Sequence, residues 1–278
     1  MKTMDSFRGQ KEQGVKITML TAYDYPTAKF QDQAGVDVIL IGDSVGRNIL
    51  GYESEIQVTM ADMIHHVRAV ARGTEQAYVL ADMPYRSCDT RQNALDNARQ
   101  LIEAGAHGVK IEGEGEMVDQ VEYVAGAGID VCAHIGYTPQ TDGAKASVQG
   151  KDFERARQLI EVARRLEAAG AKMIVFELIP EALARIITGL LTIPTIGIGA
   201  GGYCDGQVQV YCDILGLSDR IFRHAKAYDN LGDRYREAFA AYVAEVKSGV
   251  FPTSDNAAAL PEEVAGQVEA FVRKTYPS

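Results

Sequence analysis

The stretch VDVILIGDS, residues 36–44, decides the fold. It is apolar and β-branched almost to its end, where a glycine, a carboxylate and a hydroxyl follow. No polar alternation divides it into a wet face and a dry face, so it reads as a parallel strand covered on both sides. Gly42, Asp43 and Ser44 then lie at its carboxyl end, the edge where α/β folds gather their chemistry. The same design recurs outward from this run in AYVLADMP with Asp82, GVKIEGE with Glu112, IDVCAHIG with His134 and KMIVFELIP with Glu177. Five apolar runs in order, each ending in one ionisable group, describe a ring of strands whose tips share a site.

Helical patterns fill the intervals. Pro26 suits the first turn of a helix that stops at Gly35, and Thr59 with Asp62 resembles a capping box opening the next. Further helices are predicted over 90–104, 117–125, 152–169 and 181–190, and strands over 16–22, 77–82, 108–112, 129–134, 172–177 and 195–198, with the last strand somewhere in 208–215. Residues 45–58 form a long connection of the kind that serves as a lid or binding loop. About eight βα units in roughly 215 residues predict a (β/α)8 TIM barrel rather than an open sheet. The first dozen residues read as a capping arm or short helix. No linker or shift of composition divides the chain, so one domain spanning 1–278 is expected. Its helical extension, from about residue 220, carries amphipathic stretches at 231–247 and 261–274 that should pack on the barrel or on a neighbouring subunit.

The 278 residues carry 28 basic and 38 acidic side chains, a net charge of −10. With no basic stripe, nucleic acid is not an expected partner. Nor is a membrane, because no apolar stretch approaches the roughly 20 residues of a span and the polar start, MKTMDSFRGQKEQG, lacks the core of a signal peptide. Cys88, Cys132, Cys204 and Cys212 are scattered without a C-x-x-C pair, which fits reduced thiols in a cytoplasmic protein.

The strand tips suggest a chemistry. Asp43, Asp82 and Glu112 end successive strands, and three clustered carboxylates repel one another unless a cation sits among them. Oxygen donors of this kind favour Mg2+. Lys110 shares its strand face with Glu112, and either binds a substrate carboxylate or neutralises its acidic neighbours. His134 is placed to donate to a ligand or to rest as a satisfied buried imidazole. Glu177, between Phe176 and Leu178, is expected to be desolvated and so tuned toward a general base. His65, His66 and His224 read as structural. The glycines of IGIGAGG, residues 196–202, offer a weak anion-cradle signal. The residues alone lead to proton abstraction or carbon–carbon bond chemistry on a 2-oxo acid, with a cation as Lewis acid.

The segments MLTAYDYPTAKFQDQAGVDVILIGDSVG, DMIHHVRAVARG, ADMPY, VKIEGE, AHIGYTPQ, VQGK, LEAAGA and IPTIGIGAGGYCDGQ closely resemble the ketopantoate hydroxymethyltransferase family of pantothenate biosynthesis. The likeness is collinear over about residues 17–217. It implies a barrel of the phosphoenolpyruvate-mutase-like type with C-terminal helices. It also implies Mg2+ dependence, a homo-oligomer (a decamer), and transfer of a one-carbon unit from 5,10-methylenetetrahydrofolate to 3-methyl-2-oxobutanoate. By motif, Asp43 and Asp82 would bind the metal, and Glu112 would bind it directly or through water. Asp43, Ser44, Asp82, Lys110 and His134 would contact the oxo acid, and Glu177 would be the base.

The chain departs from that pattern at Arg47, at Arg86, in GYESEIQVT with Glu53, Glu55 and Gln57, in the short TDGAKAS loop, and at Cys212. None removes a metal or base residue. The two guanidiniums either pair with Glu53 and Glu55 or read a more anionic substrate; pairing is the expectation. A paralogue performing an aldol or lyase reaction on another 2-oxo acid is one alternative, separated by folate dependence. A non-catalytic binding protein that keeps the fold is another, and the intact carboxylate set argues against it.

Overall fold

The computed structural model describes residues 2–142, 146–218 and 222–277. Two compact units divide the chain, Met1–Asp229 and Asn230–Ser278. The first opens with α1 (Met4–Glu12) and continues through β1 (Ile17–Thr21), α2 (Tyr25–Gln33), β2 (Val38–Ile41), α3 (Val45–Asn48), α4 (Met60–Gly73) and β3 (Tyr78–Asp82). It proceeds through α5 (Arg91–Glu103), β4 (Gly108–Glu112), α6 (Val118–Gly126), β5 (Asp130–Gly136), α7 (Pro139–Asp142), α8 (Phe153–Ala168) and β6 (Met173–Glu177). It closes with α9 (Glu181–Leu190), β7 (Thr195–Ile198), β8 (Gly206–Gln209) and α10 (Tyr211–Ile214). Each strand pairs in parallel with the next, and β8 returns to β1, so the sheet is a closed eight-stranded barrel.

Side-chain alternation along the strands builds two apolar layers. One row points inward: Met19, Val38, Leu40, Leu80, Cys132, Met173, Val175, Ile196 and Val208 form a single buried cluster with Met4 and Phe7 of α1. The opposite row, including Ile39, Ile41, Val79, Val109, Ile111, Ala133, Ile174 and Phe176, packs under the helices. Burial on both sides is why the strands carry no polar face. The same alternation turns the last inward positions of β3, β4, β5 and β6 into Asp82, Lys110 with Glu112, His134 and Glu177.

Local signals set the helix starts. Thr59 and Asp62 form the expected capping box, Thr90 caps α5 through the Asn93 amide, and Asp24 caps α2 with Pro26 in its first turn. The expectations differ from the structure in three places. Residues 45–58 are not an open loop, since α3 and a single 3-10 turn (Glu55–Gln57) occupy them. The connection after β5 contains α7. The last strand starts at Gly206, and part of 208–215 is α10 instead. Gly206 hid that strand because a glycine weakens a strand pattern. It is required there: a Cβ would lie 2.4 Å from the Ile17 carbonyl oxygen of β1.

The second unit holds α11 (Leu231–Ser248), the 3-10 turn Ser254–Asn256 and α12 (Glu262–Thr275). Gly249, in the left-handed region, ends α11. A helical extension was expected from about residue 220; the second unit begins at Asn230, and residues 219–221 lie outside the described residues. Among the described residues no helix is long and apolar enough to cross a membrane.

Candidate active site

Strand register brings the strand-tip residues side by side. Asp82 stands opposite Lys110, Glu112 opposite His134, and Gly136 opposite Glu177. The contacts then run in a chain. The Asp43 amide donates to Asp82 Oδ2 at 3.0 Å, and Lys110 Nζ lies 2.8 Å from Asp82 Oδ1. His134 places Nδ1 3.3 Å from Glu112 Oε2 and Nε2 3.3 Å from Glu177 Oε2. All seven residues singled out from the sequence, Asp43, Ser44, Asp82, Lys110, Glu112, His134 and Glu177, line one cavity of about 1000 Å³. That is room for two small co-substrates.

Burial makes the charges interdependent. Burial, then the Asp82 and Glu112 carboxylates, hold the Asp43 carboxyl well above the usual carboxylate range. Burial raises Asp82 too, against the pull of Lys110. Burial alone would push the Lys110 ammonium down, but Asp82, Glu112 and Asp43 outweigh it and keep Lys110 protonated. Burial would likewise lift Glu112, yet its hydrogen bond and attraction to His134, with Lys110 nearby, hold it below its ordinary value. Burial and Lys110 oppose charge on His134, but Glu112 and Glu177 at its two nitrogens raise it to about 9. The two carboxylates thus favour charge on the imidazole, whose Nδ1 faces Glu112 at 3.3 Å and Lys110 Nζ at 3.5 Å. The imidazole Nε2 makes no aligned hydrogen bond, so Glu177 is held there by charge at 3.3 Å.

Glu177 differs from the expectation in one respect. Strand alternation turns Phe176 to the helix side, where it is fully buried, and the Glu177 side chain stays 20% exposed at the cavity. Its setting is therefore His134 and open cavity, not an apolar clamp. The backbone around it is tightly specified. Leu178 adopts a positive φ of 48°, uncommon for a branched residue. Gly136, at φ 106°, comes so close that a Cβ would sit 2.2 Å from the Glu177 carbonyl oxygen.

Ser44 accepts or donates a 2.7 Å hydrogen bond with the hydroxyl of Tyr23, whose ring is buried against Tyr211. Tyr23, just beyond β1, was not among the residues singled out from the sequence. Gln140 escaped notice altogether, although its backbone donates to Glu112 Oε1 and its side chain to Asp43 Oδ2. TPQ follows directly on the tip of β5, but no local pattern marks these long-range contacts. His66 is structural as expected, with Nδ1 2.6 Å from the Tyr23 carbonyl oxygen. The glycine stretch 196–202 presents its Gly202 amide to Glu181 Oε1. Arg47 pairs with Glu55 at 2.7 Å, as expected. Arg86 does not find a glutamate, and its guanidinium lies 5.7 Å over the Tyr85 ring. Cys212 lines the cavity, burial raising its thiol to about 11. All four cysteines are unpaired. Residues 143–145 of the TDGAKAS loop lie outside the described residues.

Among the described residues no three His, Cys, Asp or Glu side chains converge closely enough to enclose a cation unaided. The donor set still fits a hard cation that keeps waters and substrate oxygens among its ligands. Asp82 Oδ1 is buried beside Lys110 Nζ at 2.8 Å without an aligned hydrogen bond, and Asp43 shares its burial with two other carboxylates. Both oxygens of Glu112 already face donors.

Fold and site together define a (β/α)8-barrel enzyme whose strand-end cavity gathers carboxylates, a lysine and a histidine. Comparison with known proteins narrows the class. The chain belongs to the ketopantoate hydroxymethyltransferase family, whose family model matches residues 1–254, and it is accordingly a transferase. It is 47% identical over 268 residues to the 3-methyl-2-oxobutanoate hydroxymethyltransferase of Bacillus cereus (strain AH187), covering 95% of this chain and 96% of that protein. The enzyme of the same name from Bacillus thuringiensis (strain Al Hakam) is also 47% identical over 268 residues, with the same coverage of each chain. Solved structures share the barrel at low identity. Phosphonopyruvate hydrolase in complex with oxalate and Mg2+ superposes with a TM-score of 0.61 at 14% identity, over 100% of both chains. 2,3-Dimethylmalate lyase, a member of the phosphoenolpyruvate mutase/isocitrate lyase superfamily, gives 0.57 at 16% identity, over 98% of this chain and 100% of that one.

Proposed function

We propose that this chain transfers a hydroxymethyl group from 5,10-methylenetetrahydrofolate to 3-methyl-2-oxobutanoate, giving 2-dehydropantoate. The observation that carries the reading is the placement of Glu177. It is a partly exposed carboxylate, held by His134, on the same cavity wall as two aspartates and a buried lysine. Family membership supports the substrate.

In this reading Asp43 and Asp82 would hold Mg2+, and Glu112 would bind it directly or through water. When bound, the cation supplies Lewis-acid stabilisation of negative charge on the oxo acid oxygens. That a relative in fold was solved with oxalate and Mg2+ together supports such a pairing here. Ser44, oriented by Tyr23, and Lys110 hold the substrate carboxylate. Glu177 then takes the proton from C3, and the carbon so freed attacks the one-carbon unit; water supplies the hydroxyl oxygen, and tetrahydrofolate leaves with the carbon–nitrogen bonds broken. His134 fixes the Glu177 carboxylate by charge and needs to transfer no proton itself. Water excluded by the apolar side of the cavity, Leu40, Val175, Ile198 and Val208, strengthens each of these interactions.

Mass-spectrometric detection of 2-dehydropantoate tests the proposal, using purified chain, both substrates, and Mg2+ or EDTA. Donor-dependent product that disappears with EDTA is the expected result. No product under full Mg2+, or product only from a different 2-oxo acid, would overturn the assignment in favour of a paralogous reaction. A cytoplasmic setting, suited to four unpaired cysteines, and a homo-oligomeric assembly, a decamer, belong to the same proposal. Light scattering of the purified chain tests the assembly.

A further inference from the structure

Gln140 lies on α7, just beyond the tip of β5, and ties Asp43 to Glu112, the first through its side chain and the second through its backbone amide. Its backbone amide donates to Glu112 Oε1 at 2.8 Å, and its side-chain Nε2 donates to Asp43 Oδ2 at 2.8 Å and to the Met83 carbonyl oxygen at 3.1 Å. The amide orientation is forced by these partners. Turned over, Gln140 Oε1 would face a carboxylate and a carbonyl, two acceptors with no hydrogen between them. Both amide hydrogens are therefore committed, one to the end of β2 and one to the end of β3. Asp43 lines the cavity, so the Gln140 amide holds a carboxylate that faces it.

From these contacts we infer that Gln140 is a positioning residue: it fixes which oxygens of Asp43 and Glu112 face the cavity, and thereby sets the affinity for a divalent cation. The inference rests on the reading of Asp43, Asp82 and Glu112 as the cation site. A residue that merely anchored α7 to the barrel would need one contact to any acceptor. Gln140 instead engages carboxylates from two different strands, the pair whose relative orientation a shared cation must find already set. Groups that hold ligating carboxylates by hydrogen bonds in this way typically change metal affinity or activity by about 10- to 100-fold when removed.

Gln140→Met tests it, since methionine keeps the length and volume of the side chain, lacks both N–H donors, and leaves the backbone bond to Glu112 in place. Gln140→Ala serves as a second variant should the first fold poorly. Mn2+ is the probe, titrated into the full-length chain and followed by the electron paramagnetic resonance of the free ion. Thermal unfolding in metal-free buffer is measured alongside. The wild type is expected to bind one Mn2+ per chain, and Asp43→Asn to weaken it strongly. Gln140→Met is expected to bind about tenfold more weakly or worse, with a metal-free unfolding midpoint near that of the wild type. Affinity within twofold of the wild type in the folded variant would overturn the role of Gln140 while leaving the cation site standing. Failure of the wild type itself to bind Mn2+ would overturn both.

Discussion

Lys110→Met isolates the electrostatic balance on which the barrel mouth depends. The Lys110 ammonium is 6% exposed and sits 2.8 Å from an Asp82 carboxylate that is 3% exposed. It is also drawn to Glu112 and Asp43. Removing one partner of such a buried pair costs about 3–5 kcal/mol, because the other charge stays behind unpaired. Methionine fills much of the lysine volume, so packing adds little. The loss should depend on pH with a definite sign. Without Lys110 the folded-state pKa values of Asp43 and Asp82 rise further above their unfolded values, and that of Glu112 rises from below its own. The folded protein then binds protons that the unfolded chain does not, and stability falls as pH rises from about 4 through the raised values. The deficit should be small near pH 5 and full near pH 8. Mg2+ should return part of it, since a cation at one hundred times its dissociation constant adds about 2.7 kcal/mol, and more to the variant than to the wild type. Urea unfolding at both pH values, with Mg2+ and with EDTA, reads all of this. A loss below about 1 kcal/mol at pH 8, with no larger Mg2+ response in the variant, would refute the picture of a lysine balancing three carboxylates.

Three further outcomes follow from single contacts. Gly136→Ala should cost at least about 2 kcal/mol and depress turnover, because its Cβ would press on the Glu177 carbonyl oxygen; an alanine variant of wild-type stability would show that this approach is not tight. Arg47→Ala should change stability by less than about 1 kcal/mol, its pair with Glu55 being half exposed, and should leave the KM for 3-methyl-2-oxobutanoate within about threefold; a larger KM effect would mean that Arg47 reads the substrate. Asp37 is held below the ordinary carboxylate range, since its bonds to Lys2 and Thr18 outweigh burial. Its contribution is present above about pH 3.9 and lost as pH falls through the lower folded value. Asp37→Asn should therefore flatten the acid limb of the stability curve, and an unchanged limb would remove Asp37 from the account.

Most of this architecture was legible because each strand announces itself twice. A run such as VILI in β2 is buried on both faces, so its apolar continuity marks a parallel strand, and its ionisable tip marks the edge where chemistry collects. Glu177, His134 and Lys110 were readable by position on that edge. Gln140 was not, because its importance lies in contacts to Asp43 and Glu112, 97 and 28 residues away, which no local pattern records. Strand β8 was blurred for a related reason. Gly206 is dictated by the approach of the β1 backbone, a tertiary constraint that reads locally as a turn. The environment of Glu177 was misjudged because Phe176, its neighbour in sequence, turns to the helix side, while Leu178 lines the same cavity and His134 stands against the carboxylate.

The role of Glu177 is the central claim, and hydrogen exchange at C3 tests it without the second substrate. The chain is incubated in deuterated water with 3-methyl-2-oxobutanoate and Mg2+, without folate, and the C3 proton is followed by NMR. The wild type should exchange that proton, EDTA should abolish the exchange, and Glu177→Gln should slow it by about a hundredfold or more with substrate affinity nearly unchanged. A Glu177→Gln enzyme that exchanges C3 at the wild-type rate would contradict the account.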